Sequence, residues 1–371
     1  MGHSKYLNYS SSFYSEYPLC YTCLKRNFPS LKYNNKLTNV ECFICKGIFS
    51  IINEIAHKIF DTINFQEKYS YRSFTIGTSL PYYMFDKEDY VRSLFKLKDI
   101  EDIKTSFNYE IRNKFKLLSK KKLNLKNPDI KINLFISDNN EYSITILSRS
   151  LFLLGRYTKK KFMAQREKNE IKSCHFDFHD TKILKKQSIE TIIQKTLSKF
   201  IRSDRIVFTW YGSEDDNSQV LGKGRLFMIQ FINPRNRTIK INKIFTDNGI
   251  SFKIIEKKDF IENVKRNFRI KNKIFIKTSN PINKIHLTRL MKLNNSIIKY
   301  CYKSKIIYKK IYYIRFKKLD SFHLIINIEC DSGLFLRQFI EGRNFIEPSI
   351  SSVLSNQCEC LKFDIMNIST S

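Results

Sequence analysis

The chain has 371 residues, 42% of them hydrophobic with 31 Phe and 20 Tyr, and carries a formal net charge of +31. That much apolar surface excludes a globally disordered chain, and the length allows two domains, or three if one is small. The charge exceeds what solubility requires and points to a polyanion, because Lys and Arg neutralise phosphates, although inflated Lys, Asn and Ile usage also raises it.

Residues 1–17 are polar and aromatic, without a signal-peptide core. No apolar run approaches the ~20 residues of a bilayer span. Cys20, Cys23, Cys42 and Cys45 follow as two CxxC pairs. Each CxxC turn aims two thiolates at one point, and two such turns make a closed tetrahedral site, so structural zinc is expected here. The nine cysteines show no regular disulfide framework, which fits a reducing compartment, nucleus or cytoplasm or both.

Ile48, Ile51, Ile52, Ile55, Ile59, Phe60 and Ile63 recur at helical spacing. A strand is predicted over 73–77, a short helix over 87–97 and a longer one over 103–118, ending near Lys120, Lys121 and Lys122. Asn127-Pro128-Asp129 marks a turn before strands at 130–136 and 143–147. After the apolar run 151–154 come Gly155, Arg156 and Tyr157, then a polar, lysine-rich stretch, about 158–186, read as a basic loop. Cys174, His175, Asp177 and His179 within it offer ligand types at poor offsets, so solvated loop residues are the reading.

Ser188 caps an amphipathic helix with Ile189, Ile192, Ile193, Leu197 and Phe200 on one face. A strand over 206–211 and a returning strand over 225–232 bracket the glycine-punctuated loop 212–224, which holds Glu214, Asp215, Asp216, Lys223 and, at its end, Arg225. A carboxylate there serves as nucleophile, metal ligand or solvated loop acid on chemistry alone. Residues 291–319 carry nine Lys/Arg and no acid, interleaved with five tyrosines. That pattern suits RNA contact, its plain alternative being a strand pair with a lysine-rich outer face. A strand over 322–330, a turn at Asp331-Ser332-Gly333, a helix over 334–340 and a strand near 361–366 close the chain.

Two segments, 212–225 and 330–342, resemble the aspartate motif and the strand–glycine-turn–helix motif of pseudouridine synthases. The double CxxC, the module around 74–146, Gly155-Arg156-Tyr157, Asn233-Pro234-Arg235 and the closing 348–354 stretch occur in the order seen in the pseudouridine synthase ten family of archaea and eukaryotes. The resemblance spans nearly the whole chain. It implies an α+β protein with a zinc-bearing THUMP-like RNA-binding module over 1–148. A catalytic domain over 149–371 then follows, built on a mixed, mostly antiparallel sheet flanked by helices.

The implied activity is isomerisation of uridine to pseudouridine at one or both of two adjacent T-loop positions of tRNA. Asp215 is the implied nucleophile and Arg337 its ion-pair partner. Phe275, Tyr157, Arg156, Arg225, Lys223 and Lys120 to Lys122 are the implied substrate contacts. Phe275 would supply the stacking face in place of a family tyrosine. Neither an organic cofactor nor an obligatory protein partner is implied.

The chain departs from the family at Ser213, Asn217 and Gln219, and of a Gln-Thr-Pro-Trp stretch it keeps only Gln165. These departures leave room for a tRNA chaperone on the same scaffold. A THUMP-bearing methyltransferase or thiouridine synthetase would need glycine-rich nucleotide loops, and this chain has ten glycines and no such loop.

Overall fold

The computed structural model describes residues 16–29, 41–166, 187–212, 214, 218–258, 268–302 and 304–370. The chain divides into two compact units, 1–150 with 233–237, and 151–232 with 238–371.

The first unit contains α1 (Tyr21–Asn27), α2 (Ile52–Asp61), which runs into a π-helical turn at Thr62–Gln66, and β1 (Ser73–Ser79). Next come α3 (Tyr82–Leu94), α4 (Ile103–Ser119), β2 (Lys122–Leu123), β3 (Ile130–Ile136) and β4 (Tyr142–Ser148). The strands order as β2-β1-β3-β4, with β1 parallel to both neighbours and β3–β4 an antiparallel pair. Ile52, Ile55, Ala56 and Ile59 of α2 and Ile103, Phe107, Ile111 and Phe115 of α4 fill the core at helical spacing.

Asp102 caps α4 by accepting from Thr105 N at 2.7 Å, and Lys120 ends it at φ 52°. The helix predicted over 87–97 lies earlier, because Pro81 precedes its first turn and Lys96 adopts φ 49° just beyond its end. Buried Glu88 pairs with Arg26 and Arg92 and accepts from Ile103 N at 2.9 Å.

Residues 233–237 belong to this unit through polar bonds. Asn233 Oδ1 accepts from Ser148 N at 2.7 Å and from the Tyr69 hydroxyl at 3.2 Å. Ser70 N donates to Arg235 O at 2.7 Å, and the Arg235 guanidinium pairs with Glu67 at 3.0 Å and stacks 4.5 Å over the Tyr69 ring.

The second unit contains β5 (Leu151–Lys159), α5 (Ile189–Ser198), β6 (Arg205–Trp210), β7 (Val220–Ile232), β8 (Ile244–Asp247), β9 (Ile250–Lys258) and β10 (Phe268–Thr278). It continues with α6 (Lys284–Met291), β11 (Ile297–Tyr302), β12 (Lys305–Lys318), β13 (His323–Asp331), α7 (Leu336–Glu341), α8 (Ile350–Leu354) and β14 (Cys358–Thr370). One sheet runs β11-β12-β13-β10-β14-β7-β5-β9-β8, with β6 also on β7. Among the described residues only β14–β7 is parallel, so the expected mixed, mostly antiparallel sheet is present.

Two hydrophobic cores flank its middle. One gathers Leu153, Tyr157, Ile193, Phe227 and Phe252; the other gathers Ile274, Ile314, Ile326, Phe339 and Leu354. Where they meet, the β14–β7 ladder is short and irregular, with Ile365 opposite Val220 and Asn367 opposite Gly224. Close approach there depends on glycine. A Cβ at Gly224, whose φ is 76°, would lie 2.4 Å from Tyr157 O. No helix among the described residues is long and apolar enough to cross a membrane.

Candidate active site

A cleft of about 750 Å³ opens on the middle of the large sheet. Alternation along β10 turns Phe268, Ile270 and Asn272 to one face, and these residues form one wall with Phe363 and Ile365 of β14. Trp210, Gly212, Glu214 and Arg225 close one end, and the segment 330–338 with Lys309 closes the other.

The 331–333 turn is held from several sides. Asp331 accepts from the Tyr312 hydroxyl at 2.9 Å and from Lys310 N at 2.8 Å, Ser332 N donates to Phe268 O at 2.8 Å, and the Tyr300 hydroxyl donates to Gly333 O at 2.7 Å. Gly333, at φ 83°, supplies the left-handed step that delays α7 to Leu336 and carries Arg337 to the cleft. Arg337 is exposed, donates from Nη1 to Cys360 O at 3.3 Å, and lies 6.0 Å from the Phe363 ring. Asp215, with Ser213, Asp216 and Asn217, lies outside the described residues, whereas its neighbour Glu214 lines the same cleft as Arg337.

Glu214 is the buried charge at this end. Its Oε1 lies 3.0 Å from Lys159 Nζ, its Oε2 lies 3.5 Å from Arg225 Nη1 and accepts from the Tyr157 hydroxyl at 2.7 Å, and all three charged side chains have 0% exposure. Arg225 Nη2 also donates to Tyr211 O at 2.9 Å, beside Gly212, where a Cβ would come within 3.0 Å of that guanidinium nitrogen. Burial first, and the Glu214 carboxylate next, push the Tyr157 hydroxyl well above the ordinary tyrosine range. Tyr157 therefore stays protonated and donates to the carboxylate.

This arrangement gives several of the expected substrate contacts partners within the protein. Tyr157, 1% exposed, and Arg225 are consumed in holding Glu214, because β5–β7 pairing sets them opposite one another and inward. Arg156 spans β7 and β14, donating to Gly224 O at 3.1 Å, Asn367 Oδ1 at 3.0 Å and Ile368 O at 2.8 Å, and so braces the interrupted ladder. Phe275 is not in the cleft wall. Its offset along β10 from Phe268, Ile270 and Asn272 is odd, which turns it to the other face, and its ring sits between Lys273 Nζ at 5.2 Å and Lys362 Nζ at 4.5 Å. The aromatic faces that do line the cleft are Trp210, Phe268, Phe335 and Phe363.

Lys223 is exposed on β7, and Lys120, Lys121 and Lys122 are exposed in the first unit. The 291–319 stretch is α6's end, β11 and β12, and among its described residues Lys309 alone lines the cleft. Cys174, His175, Asp177 and His179 lie outside the described residues. Nothing in their spacing assigns a role to Lys159, Glu214 or Asn272, because a buried Lys-Glu pair leaves no trace there.

In the first unit the four sulfurs of Cys20, Cys23, Cys42 and Cys45 lie within 4.8 Å of one another, with Cys20 and Cys45 Sγ 3.6 Å apart. A tetrahedral Zn–S site has edges of about 3.8 Å, so this donor set fits one such ion. Lys46 N donates to Cys42 O at 2.9 Å, and Lys46 and Gly47 take positive φ, which folds the second CxxC into a knuckle. Cys45 N donates to Cys42 Sγ at 3.5 Å, which orients that sulfur. Four cysteines so placed can bind a metal ion, and sulfur chemistry favours zinc.

Comparison with known proteins follows the same division. The family description "Pus10, C-terminal" matches residues 152–369, and "Pus10 THUMP domain, archaeal" matches residues 55–134. A relative from Nitrosopumilus maritimus named "tRNA pseudouridine synthase Pus10" is 29% identical, covering 99% of this chain and 98% of its own. One of the same name from Ignisphaera aggregans is 28% identical, covering 88% and 78% respectively. A chain in the solved structure titled "Crystal Structure of a Cbf5-Nop10-Gar1 Complex" is similar over 48% of this chain and 43% of its own, at 10% identity and a TM-score of 0.30. The match over 152–369 takes in every residue that lines the cleft, and the chain belongs to the Pus10 family.

Proposed function

We propose that this chain is a tRNA pseudouridine synthase that isomerises T-loop uridine with Asp215 as nucleophile. The observation that carries this reading is the cleft itself, where Arg337 from the glycine turn and Glu214 from the aspartate loop line one cavity. A guanidinium beside a carboxylate favours the ionised, nucleophilic form, which is the role proposed for Arg337 toward Asp215.

The target base must leave its stack to enter the cleft, and the aromatic side chains there offer it a face. The carboxylate then bonds ribose C1′ as the bond from C1′ to uracil N1 breaks, and that electron pair leaves with the uracil. The freed uracil turns and bonds C1′ through C5, which breaks the bond between C1′ and the carboxylate and restores Asp215. The C5 proton is lost and N1 gains one, so no electron leaves or enters.

Lys120, Lys121, Lys122 and Lys223, all exposed, are the proposed phosphate contacts. Zinc on the four cysteines would cross-link the first unit and leave no open position for chemistry.

Mapping pseudouridine in tRNA incubated with the purified protein and with Asp215→Asn tests the reading. Modification by the first and none by the second, at equal tRNA affinity, is the expected result. A chaperone on this scaffold would bind equally in both forms and modify with neither.

A further inference from the structure

Asn272 is 3% exposed in the cleft wall, and its Oδ1 is fully buried with no hydrogen-bond partner among the described residues. Its surroundings explain why. Ile270 precedes it on the same face of β10, Ile365 of β14 and Ile328 of β13 flank it in register, and Phe363 lies on the same wall. None of these side chains can donate. A buried acceptor left unmet is destabilising, so such a group in a cavity wall is a place where a ligand donor is expected.

We infer that Asn272 holds the imide edge of the target uracil and is the hinge on which the detached base turns. This rests on the proposed isomerisation and deepens it. Uracil N3–H lies between two carbonyls, O2 and O4. A side-chain amide presents an acceptor beside a donor, so Oδ1 takes the N3 proton while Nδ2 donates to one flanking carbonyl, as amides do in bidentate contacts with bases.

The geometry of the isomerisation gives that pairing a second use. Exchanging N1 for C5 at the ribose is a half-turn of the ring about the line through N3 and C6. That half-turn leaves N3–H in place and swaps O2 with O4. One fixed amide thus makes the same two bonds before and after the turn, to N3–H and to whichever carbonyl faces it. The apolar wall lets the ring rotate, and the amide prevents the free base from drifting out.

The test uses the full-length protein, its N272L and N272D variants, and tRNA carrying either uridine or 3-methyluridine at the target. Single-turnover pseudouridine formation is expected to fall at least tenfold in N272L, less in N272D, which keeps an acceptor, with tRNA affinity within twofold of wild type. The melting temperature of N272L should equal or exceed that of wild type, because the orphaned acceptor is gone. A purely structural asparagine would move the melting temperature and not the rate.

Blocking N3 should slow the wild type to the N272L rate and slow N272L little further. N272S, which withdraws the amide from the base, serves in its place should leucine impair folding. Wild-type rates in N272L and N272S, or equal sensitivity of wild type and N272L to 3-methylation, would overturn the inference and leave the isomerase reading intact. A wild-type protein that forms no pseudouridine would overturn both.

Discussion

Glu214 Oε1 lies 3.0 Å from Lys159 Nζ with both side chains fully buried, one residue before the proposed nucleophile. Buried ion pairs contribute little net stability, yet removing one partner strands the other's charge, at a cost of about 3–5 kcal/mol. Glu214→Gln leaves Lys159 and Arg225 facing each other without their carboxylate, so a loss of about 3 kcal/mol or more is expected in urea unfolding. Combining it with Lys159→Met should cost less than the sum of the two, and that double-mutant cycle measures the pair directly.

Tyr157 sets an alkaline limit. Its folded pKa is raised above the unfolded value of about 10, so its proton is bound more tightly in the folded chain. The associated stability is complete below about pH 10 and is lost as pH rises beyond it. Tyr157→Phe should forfeit about 1 kcal/mol at neutral pH through the missing bond to Glu214 and lose less than wild type above about pH 10. Denaturation midpoints followed across that range check both halves.

Arg337 is exposed on α7, so replacing it should cost little stability. Arg337→Ala is expected to lower kcat by about 100-fold, the usual loss when a positioned cation or donor leaves a reacting centre. Arg337→Lys restores charge without the planar fork and should recover only part of the rate.

The four cysteines predict metal-dependent folding of the first unit. Elemental analysis should find one zinc per chain, and chelation or Cys42→Ser should abolish it, because each sulfur occupies one corner of a closed site. The same treatment should lower the thermal transition of the first unit, whose core includes Cys23, Cys42 and Cys45.

Much of this architecture was legible in residue order alone. Helix α4, expected over 103–118, runs from Ile103 to Ser119, and the metal knuckles were legible in their CxxC pairs. The strand-edge details were harder. Phe275 has the right chemistry for stacking, but strand parity puts it on the face of β10 opposite the one from which Asn272 looks into the cleft. Arg225 is an implied substrate contact by resemblance, whereas β5 pairing sets Tyr157 across from it and both meet Glu214. Side-chain direction at such positions depends on register between segments some seventy residues apart, which local pattern does not encode.

Residues 233–237 leave the second unit, supply Asn233 to Ser148 and Tyr69 in the first, and return. The polypeptide is therefore sewn through its first unit twice, and a clean cut after residue 150 removes five residues from that unit. A fusion that merely appends 1–150 to another enzyme would inherit a fold with an open seam. Portability requires the 233–237 strip to travel with it, as a tethered graft or a peptide added in trans.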